Sequence, residues 1–474
     1  MRVRWIVWLV FVLFSVLPFV AFGQEGQLQS DFRRESGNVK ADCGSFSFKS
    51  FASCAQELFT DHPLHIAVGS IAPQNGFGAG LALVTHYTPN ENWRLSWDAD
   101  AVGSFNASWR AGVYMKAIHT PVQQIHVITA SSEGATAKKS SLTVHPSTIF
   151  NLYAQTISLN KLFFFGEGPH STLAGQSVFG MTQTIVGGSV IKPVYELPAL
   201  GKLNLALLGE VNGRFVGVRG NSGESSPTIG ALYDETAAPG LTSQPAFLQI
   251  GEGIRLEPNL FNNHLQLNYL VNFQQFFAPS NSTFSFRRWT IDLGHNFPLY
   301  QNSVSSGPKD SNGPDECASA VGAAKCPSVS RNRTGTVGVR LLITESAASA
   351  GSAVPFYFQP TLGGSDINGN SVLSSFQDYR FRAPNLLLLR ENFEHSIWGP
   401  LGFTFAADEA KVALTRGDVD FGDLKHSFTT GLTVRAGGFP QIFLLFAWGG
   451  GEGHHTIANI NTSLLGGSAR PSLY

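Results

Sequence analysis

Along most of this chain, hydrophobic and polar positions alternate with a period of two. In Asn92–Ser104, Trp93, Leu95, Trp97, Ala99 and Ala101 share one face, while Arg94, Ser96, Asp98 and Asp100 share the other. After a turn at Phe105 the alternation resumes, with Ala107, Trp109, Ala111, Val113 and Met115 opposite Ser108, Arg110, Tyr114 and Lys116. Leu265, Leu267, Tyr269, Val271 and Phe273 oppose Gln266, Asn268, Asn272 and Gln274 in the same way. Alternation sustained this long is a strand signal, because successive side chains of a strand point to opposite faces. The pattern predicts about sixteen strands, near 76–88, 92–104, 106–118, 148–160, 178–194, 203–218, 246–257, 263–275, 284–297, 334–345, 353–361, 384–397, 400–412, 427–436, 441–449 and 454–464. An even number returns both ends of the sheet to one side. The long connections 119–147, 298–333 and 362–383 are then expected at one end, and 219–245 at the other.

A soluble sandwich alternates as well, with its apolar face inside. Strand length favours a membrane barrel: globular strands run about five or six residues, and a tilted membrane strand about 9–11. Composition points the same way. Only 14% of residues are charged against 43% hydrophobic, where an ordinary soluble domain carries about a quarter charged. Trp93, Trp97, Trp109 and Trp398 near strand ends suit interfacial girdles. The formal net charge of −1 offers no basic excess for nucleic acid.

The first residues read as an export signal: Arg2 and Arg4, an apolar stretch from Trp5 to Phe22, and small residues Ala21 and Gly23 before Gln24. After it no apolar run reaches the roughly 18 residues of a membrane helix; the longest are Leu386–Leu389 and Ile442–Trp448. The expected organisation is a signal peptide over 1–23, a short periplasmic segment over 24–64, and an all-β, transmembrane antiparallel barrel over 65–474. Such a protein is expected in the bacterial outer membrane, as a monomer in contact with outer-membrane lipid.

The four cysteines form two close pairs, Cys43 with Cys54 and Cys317 with Cys326, which in an exported chain read as local disulfides. Their spacing does not match a zinc site, and Gly453-His454-His455 places its two histidines on opposite strand faces, so no metal is expected. Arg94, Asp98, Asp100 and Arg110 are expected to face the lumen as mixed charge. There is no G-x-S-x-G elbow, H-E-x-x-H or phosphate-binding loop, so neither an enzyme nor a cofactor is expected.

Three segments of the last third, Thr361–Gly364, Val372–Arg382 and Asn385–Glu391, resemble the bacterial surface antigen (BamA-like) family of outer-membrane barrels. Phe403–Val412 is similar to that family's aspartate-bearing strand, and Phe164–Phe179 to its glycine-rich segment. The resemblance implies a large loop near 362–383 folded into the lumen, and a role in insertion or passage of polypeptide or lipid. A passive pore is the alternative. The family's loop motif, an apolar residue followed by Arg-Gly-Phe, stands here as Leu373-Ser374-Ser375-Phe376. Its arginine is absent, and Arg380 or Arg382 is expected to reach the anchoring acids instead. Glu391, Glu394 and Asp408 are the candidates for those acids. The family's periplasmic client-binding repeats do not fit before residue 64, so a separate periplasmic protein is the expected partner.

Overall fold

The computed structural model describes residues 27–43, 54, 58, 63–120, 147–197, 203–221, 225–261, 264–306, 329–398, 400–434, 441–461 and 470–473. The chain divides into two units, Met1–Leu64 and His65–Tyr474. In the first, a helix spans Gln27–Cys43, and Cys43 is disulfide-bonded to Cys54. The expected signal peptide and the Cys317/Cys326 pair lie outside the described residues.

Among the described residues, the second unit is built on one large sheet of seventeen strands. Its first half holds β1 (Leu64–Ser70), β2 (Phe77–Asn90), β3 (Trp93–Ser104), β4 (Trp109–His119), β5 (Thr148–Phe164), β6 (Ser177–Leu197), β7 (Leu203–Gly220), β8 (Phe247–Leu256) and the two-residue β9 (Asn259–Leu260). β10 (Leu265–Phe277), β11 (Phe286–Ser306) and β12 (Val329–Ala348) follow. β13 (Thr361–Leu362) and β14 (Phe381–Arg382) form a separate two-stranded sheet. β15 (Asn385–Trp398), β16 (Leu401–Ala413), β17 (Lys425–Val434), β18 (Gln441–Trp448) and β19 (His455–Asn461) complete the large sheet. The long strands pair antiparallel with their sequence neighbours, β8 pairing with β10 past the short β9 and β12 with β15 past the inner hairpin. Pro193 and Pro298 lack ladder donors, yet β6 and β11 run on past them because each coincides with a register shift.

The burial pattern separates a membrane barrel from a sandwich. Apolar side chains at alternate positions are exposed: Leu81, Leu152, Val211 and Leu444 are each more than half accessible. The polar positions between them are buried, with Asp98, Asp100, Arg110 and Arg214 at 6% exposure or less. A soluble sheet would show the reverse, because burying an apolar face is what drives its folding. Here the outward apolar band requires lipid, and the polar face lines a lumen.

Three expectations are corrected. Leu64–Ser70 is a strand, β1, paired with β2, where the sequence reading left a segment outside the sheet. Residues 353–361 are not a wall strand. Val354, Phe356 and Phe358 alternate in sequence, but Tyr357 between them is buried too, and Phe356–Phe358 form a 3₁₀ turn inside the lumen. Pro355 and Pro360 flank the turn and cannot donate to a ladder. Losing 353–361 as a wall strand moves the lumen loop to the other end of the sheet, whereas a strand gained ahead of all the connections shifts them equally. The connections after β7 and after β12 therefore leave from one end of the sheet, and those after β4 and β11 leave from the other. The segment 219–245, which had stood apart, now shares its end with the lumen loop.

Candidate functional site in the barrel lumen

The segment between β12 and β15 enters the lumen and is held there at successive levels. At the first level an aromatic knot forms around the 3₁₀ turn. The Phe358 ring meets Phe247 edge-on at 4.9 Å, and Phe356 meets Phe164 and Phe179 at 5.4 and 5.2 Å. Tilted and edge-on contacts of this kind are the favourable arrangement of aromatic quadrupoles. Arg288 of β11 spans the rings of Phe276 and Phe286 and donates to the Phe358 carbonyl at 2.5 Å.

Beyond the knot, β13 and β14 pair, and the turn back requires glycine. Gly363 and Gly364 have φ of +103° and +59°, and a Cβ on Gly363 would come within 2.4 Å of the Arg380 Cβ. Leu373 and Tyr379 also sit at positive φ, +51° and +60°, although they carry side chains. Strain of this kind persists only where surrounding contacts over-determine the backbone, and both positions are so held. The Leu373 amide donates to Asp408 Oδ2 at 2.9 Å, and the buried Tyr379 hydroxyl donates to the Pro73 carbonyl at 3.1 Å.

The loop tip, Leu373-Ser374-Ser375-Phe376, is buried along its whole length. The Ser375 amide donates to Ser427 Oγ of β17 at 2.9 Å. Asp408 of β16, whose side chain is fully buried, is gripped through both oxygens by Arg390 of β15, at 2.5 and 2.8 Å. A buried carboxylate held by a two-pronged guanidinium and a backbone amide is well satisfied.

The expected pairing of Arg380 or Arg382 with Asp408 is thus replaced by Arg390, which lies directly across from Asp408 in the strand register. Alternation already placed Arg390 and Asp408 on one face, and this cross-strand geometry was the signal that sequence reasoning passed over. Arg380 instead reaches Glu452 at 2.7 Å and Ser171 Oγ at 2.8 Å, and lies over the Phe165 and Phe381 rings. Arg382 donates to the Phe356 carbonyl at 2.6 Å, while its own carbonyl accepts from Gly168 at 2.7 Å. Both arginines therefore tie the loop to the glycine-rich segment between β5 and β6. Glu391 is exposed, on the opposite face from Arg390. Glu394 lines the lumen cavity. On β3, Arg94 is exposed at the strand end, whereas Asp98 and Asp100 are buried toward the lumen. Arg110 joins Asp100 at 3.3 Å.

Burial sets the charge states of the loop groups. It pushes the Glu167 carboxyl up to about 7, opposed by the Gln359 amide that donates to it at 2.6 Å and by the nearby Arg382. It lowers Arg382 to about 10, which leaves the guanidinium charged at neutral pH. It also raises Asp378, against donation from Gln74 and from the Ser365 amide. Beside the loop remains a cavity of about 1040 Å³, bordered by Arg110, Arg340, Arg390 and Asp378 among others, and by Arg470, Pro471 and Leu473.

Fold and site together define a transmembrane antiparallel β-barrel, an outer-membrane protein whose lumen is occupied by one of its own loops. Several solved structures are similar to the chain at the level of fold. The chain is similar to CdiB from Escherichia coli, with 10% identity, a TM-score of 0.47 and 85% of this chain covered. It is similar to CdiB from Acinetobacter baumannii, with 10% identity, a TM-score of 0.44 and 81% covered. It is also similar to BamA from Haemophilus ducreyi lacking POTRA domains 1-3, with 10% identity, a TM-score of 0.41 and 85% covered. The chain spans 61% and 55% of the two CdiB chains and 69% of the BamA chain. No protein-family profile matches the sequence, and no curated protein does.

Proposed function

We propose that this protein inserts polypeptide into the outer membrane or moves it across, with the loop between β12 and β15 as its gate and a separate partner presenting the client. The observation that carries the reading is the loop itself, seated in the lumen and latched to the barrel wall through Asp408 and Ser427. A passive pore keeps its lumen open. A loop strained at Leu373 and Tyr379 and held by discrete polar latches has instead the properties of a two-position element. The mixed charge of the lumen suits a heterogeneous chain better than one small solute.

The test is a disulfide lock between loop tip and wall, Ser375→Cys with Ser427→Cys, studied in planar bilayers. The locked barrel is expected to stay closed, and reduction is expected to restore transient openings. Steady conductance in both the locked and the reduced protein would overturn gating in favour of a passive pore.

A further inference from the structure

Residues 470–473 lie in the barrel interior. Arg470 donates from Nη2 to Asp100 Oδ2 at 2.7 Å, on a carboxylate whose side chain has no solvent exposure. The same carboxylate receives Arg110 Nε at 3.3 Å and the Tyr114 hydroxyl at 3.1 Å. Three residues on, Leu473 is 6% exposed and packs into the lumenal aromatic cluster. The Leu473 amide donates to Asn368 Oδ1 of the lumen loop at 3.0 Å. Pro471 between them is buried. One short stretch thus binds wall and loop together through one charged, one apolar and one backbone contact.

Charge makes the wall receptive to a cation. Asp98 lies two positions from Asp100 on the same face and is 1% exposed. Ser96 donates to its Oδ1 at 3.2 Å, and its Oδ2 has no hydrogen-bond partner among the described residues. With Arg470 in place, two carboxylates face two guanidiniums. With Arg470 withdrawn, Asp100 keeps Arg110 as its one ion-pair partner among the described residues, and the wall is poorer by one positive charge. A buried, uncompensated carboxylate is costly, so the site favours a replacement cation.

We infer that the Asp98/Asp100 wall and the loop face at Asn368 form a peptide-binding site, filled at rest by Arg470–Leu473. Its ligand class is an extended peptide segment carrying a guanidinium followed, three residues later, by an apolar side chain. The internal segment is a stand-in for a passing chain of that chemistry. This inference goes beyond the gating role and rests only on the barrel and its lumen.

The probe is a fluorescently labelled peptide of the sequence Ala469–Tyr474, titrated by anisotropy in detergent against the full-length barrel and against a barrel lacking residues 470–474. Folding of both is checked by the heat-dependent shift of the barrel band. The shortened barrel is expected to bind at least ten-fold more tightly than the full-length one. An Arg470→Ala peptide is expected to lose at least ten-fold, and Asp100→Asn in the shortened barrel should reproduce that loss. Equal binding by both barrels, no binding by the shortened one, or indifference to Arg470→Ala in the peptide would each overturn the inference. A barrel that binds the peptide yet conducts steadily keeps this site and loses the gate, so the two readings fail separately.

Discussion

Glu167 shows how much a single buried group can report. The folded protein holds its carboxyl near pH 7, above the ordinary carboxylate value of 4.5, chiefly because burial penalises the charge. Between those values the folded state keeps a proton that the unfolded chain has released, so folding stability falls as pH rises. Its contribution is complete below about 4.5 and is lost as pH climbs through about 7. The midpoint of heat-induced unfolding is therefore expected to fall between pH 5 and pH 8. In Glu167→Gln, which mimics the protonated form, that slope should largely vanish; a variant with an unchanged slope would clear Glu167 of the effect. At this scale the sequence was partly legible. Asp408 was singled out by motif position, and it does meet the loop, through the Leu373 amide. Its guanidinium partner was misassigned, because proximity in sequence suggested Arg380 or Arg382 while the partner is fixed by cross-strand register. Glu452 and Ser427 were not legible at all, since each meets the loop only once distant strands have come together.

At the scale of elements, the aromatic turn at Phe356–Phe358 fastens the lumen loop. Phe358 is fully buried among Phe247, Phe276 and Phe286. Truncating such a side chain to alanine costs about 3–5 kcal/mol through lost transfer energy and the cavity left behind. Because the turn belongs to the loop and not to the wall, Phe358→Ala is expected to release the loop while leaving the barrel closed. Limited proteolysis should then cut within residues 361–382 of a barrel whose heat-dependent band shift persists. Resistance equal to wild type would place the fastening elsewhere. The strands of the wall could be read from alternation because each has one face in lipid and one in the lumen. The turn could not, because it is buried all round and a run such as Val354–Phe358 has no polar face to mark it. Its flanking prolines were the available signal. The strands expected to end at 194 and 297 run on to Leu197 and Ser306, because a bulge at Pro193 and at Pro298 absorbs the missing donor.

For the whole molecule, the outward apolar band is the defining feature, and it makes a position-dependent prediction. Val211 lies mid-strand in β7 with its side chain outward and more than half exposed. An arginine at the middle of such a band costs about 2–4 kcal/mol in lipid. Val211→Arg is expected to lower the fraction of barrel that inserts into vesicles, measured by the band shift. A soluble protein would tolerate that exposed substitution, so wild-type insertion would count against the membrane assignment.

The lumen contacts also carry a consequence for the order in which the molecule is made. The Tyr379 hydroxyl meets a carbonyl 306 residues away in the chain, and Arg470 meets a carboxylate 370 residues away. The wall ladders, by contrast, join mostly neighbouring strands. Contacts that close such long stretches form late, since the chain loses the entropy of closure before it gains the contact. Assembly should therefore be biphasic: hairpins zip first into a wall, and the interior is furnished afterwards. A nascent barrel at the intermediate stage has a vacant bore, before its own loop and residues 470–473 have entered it.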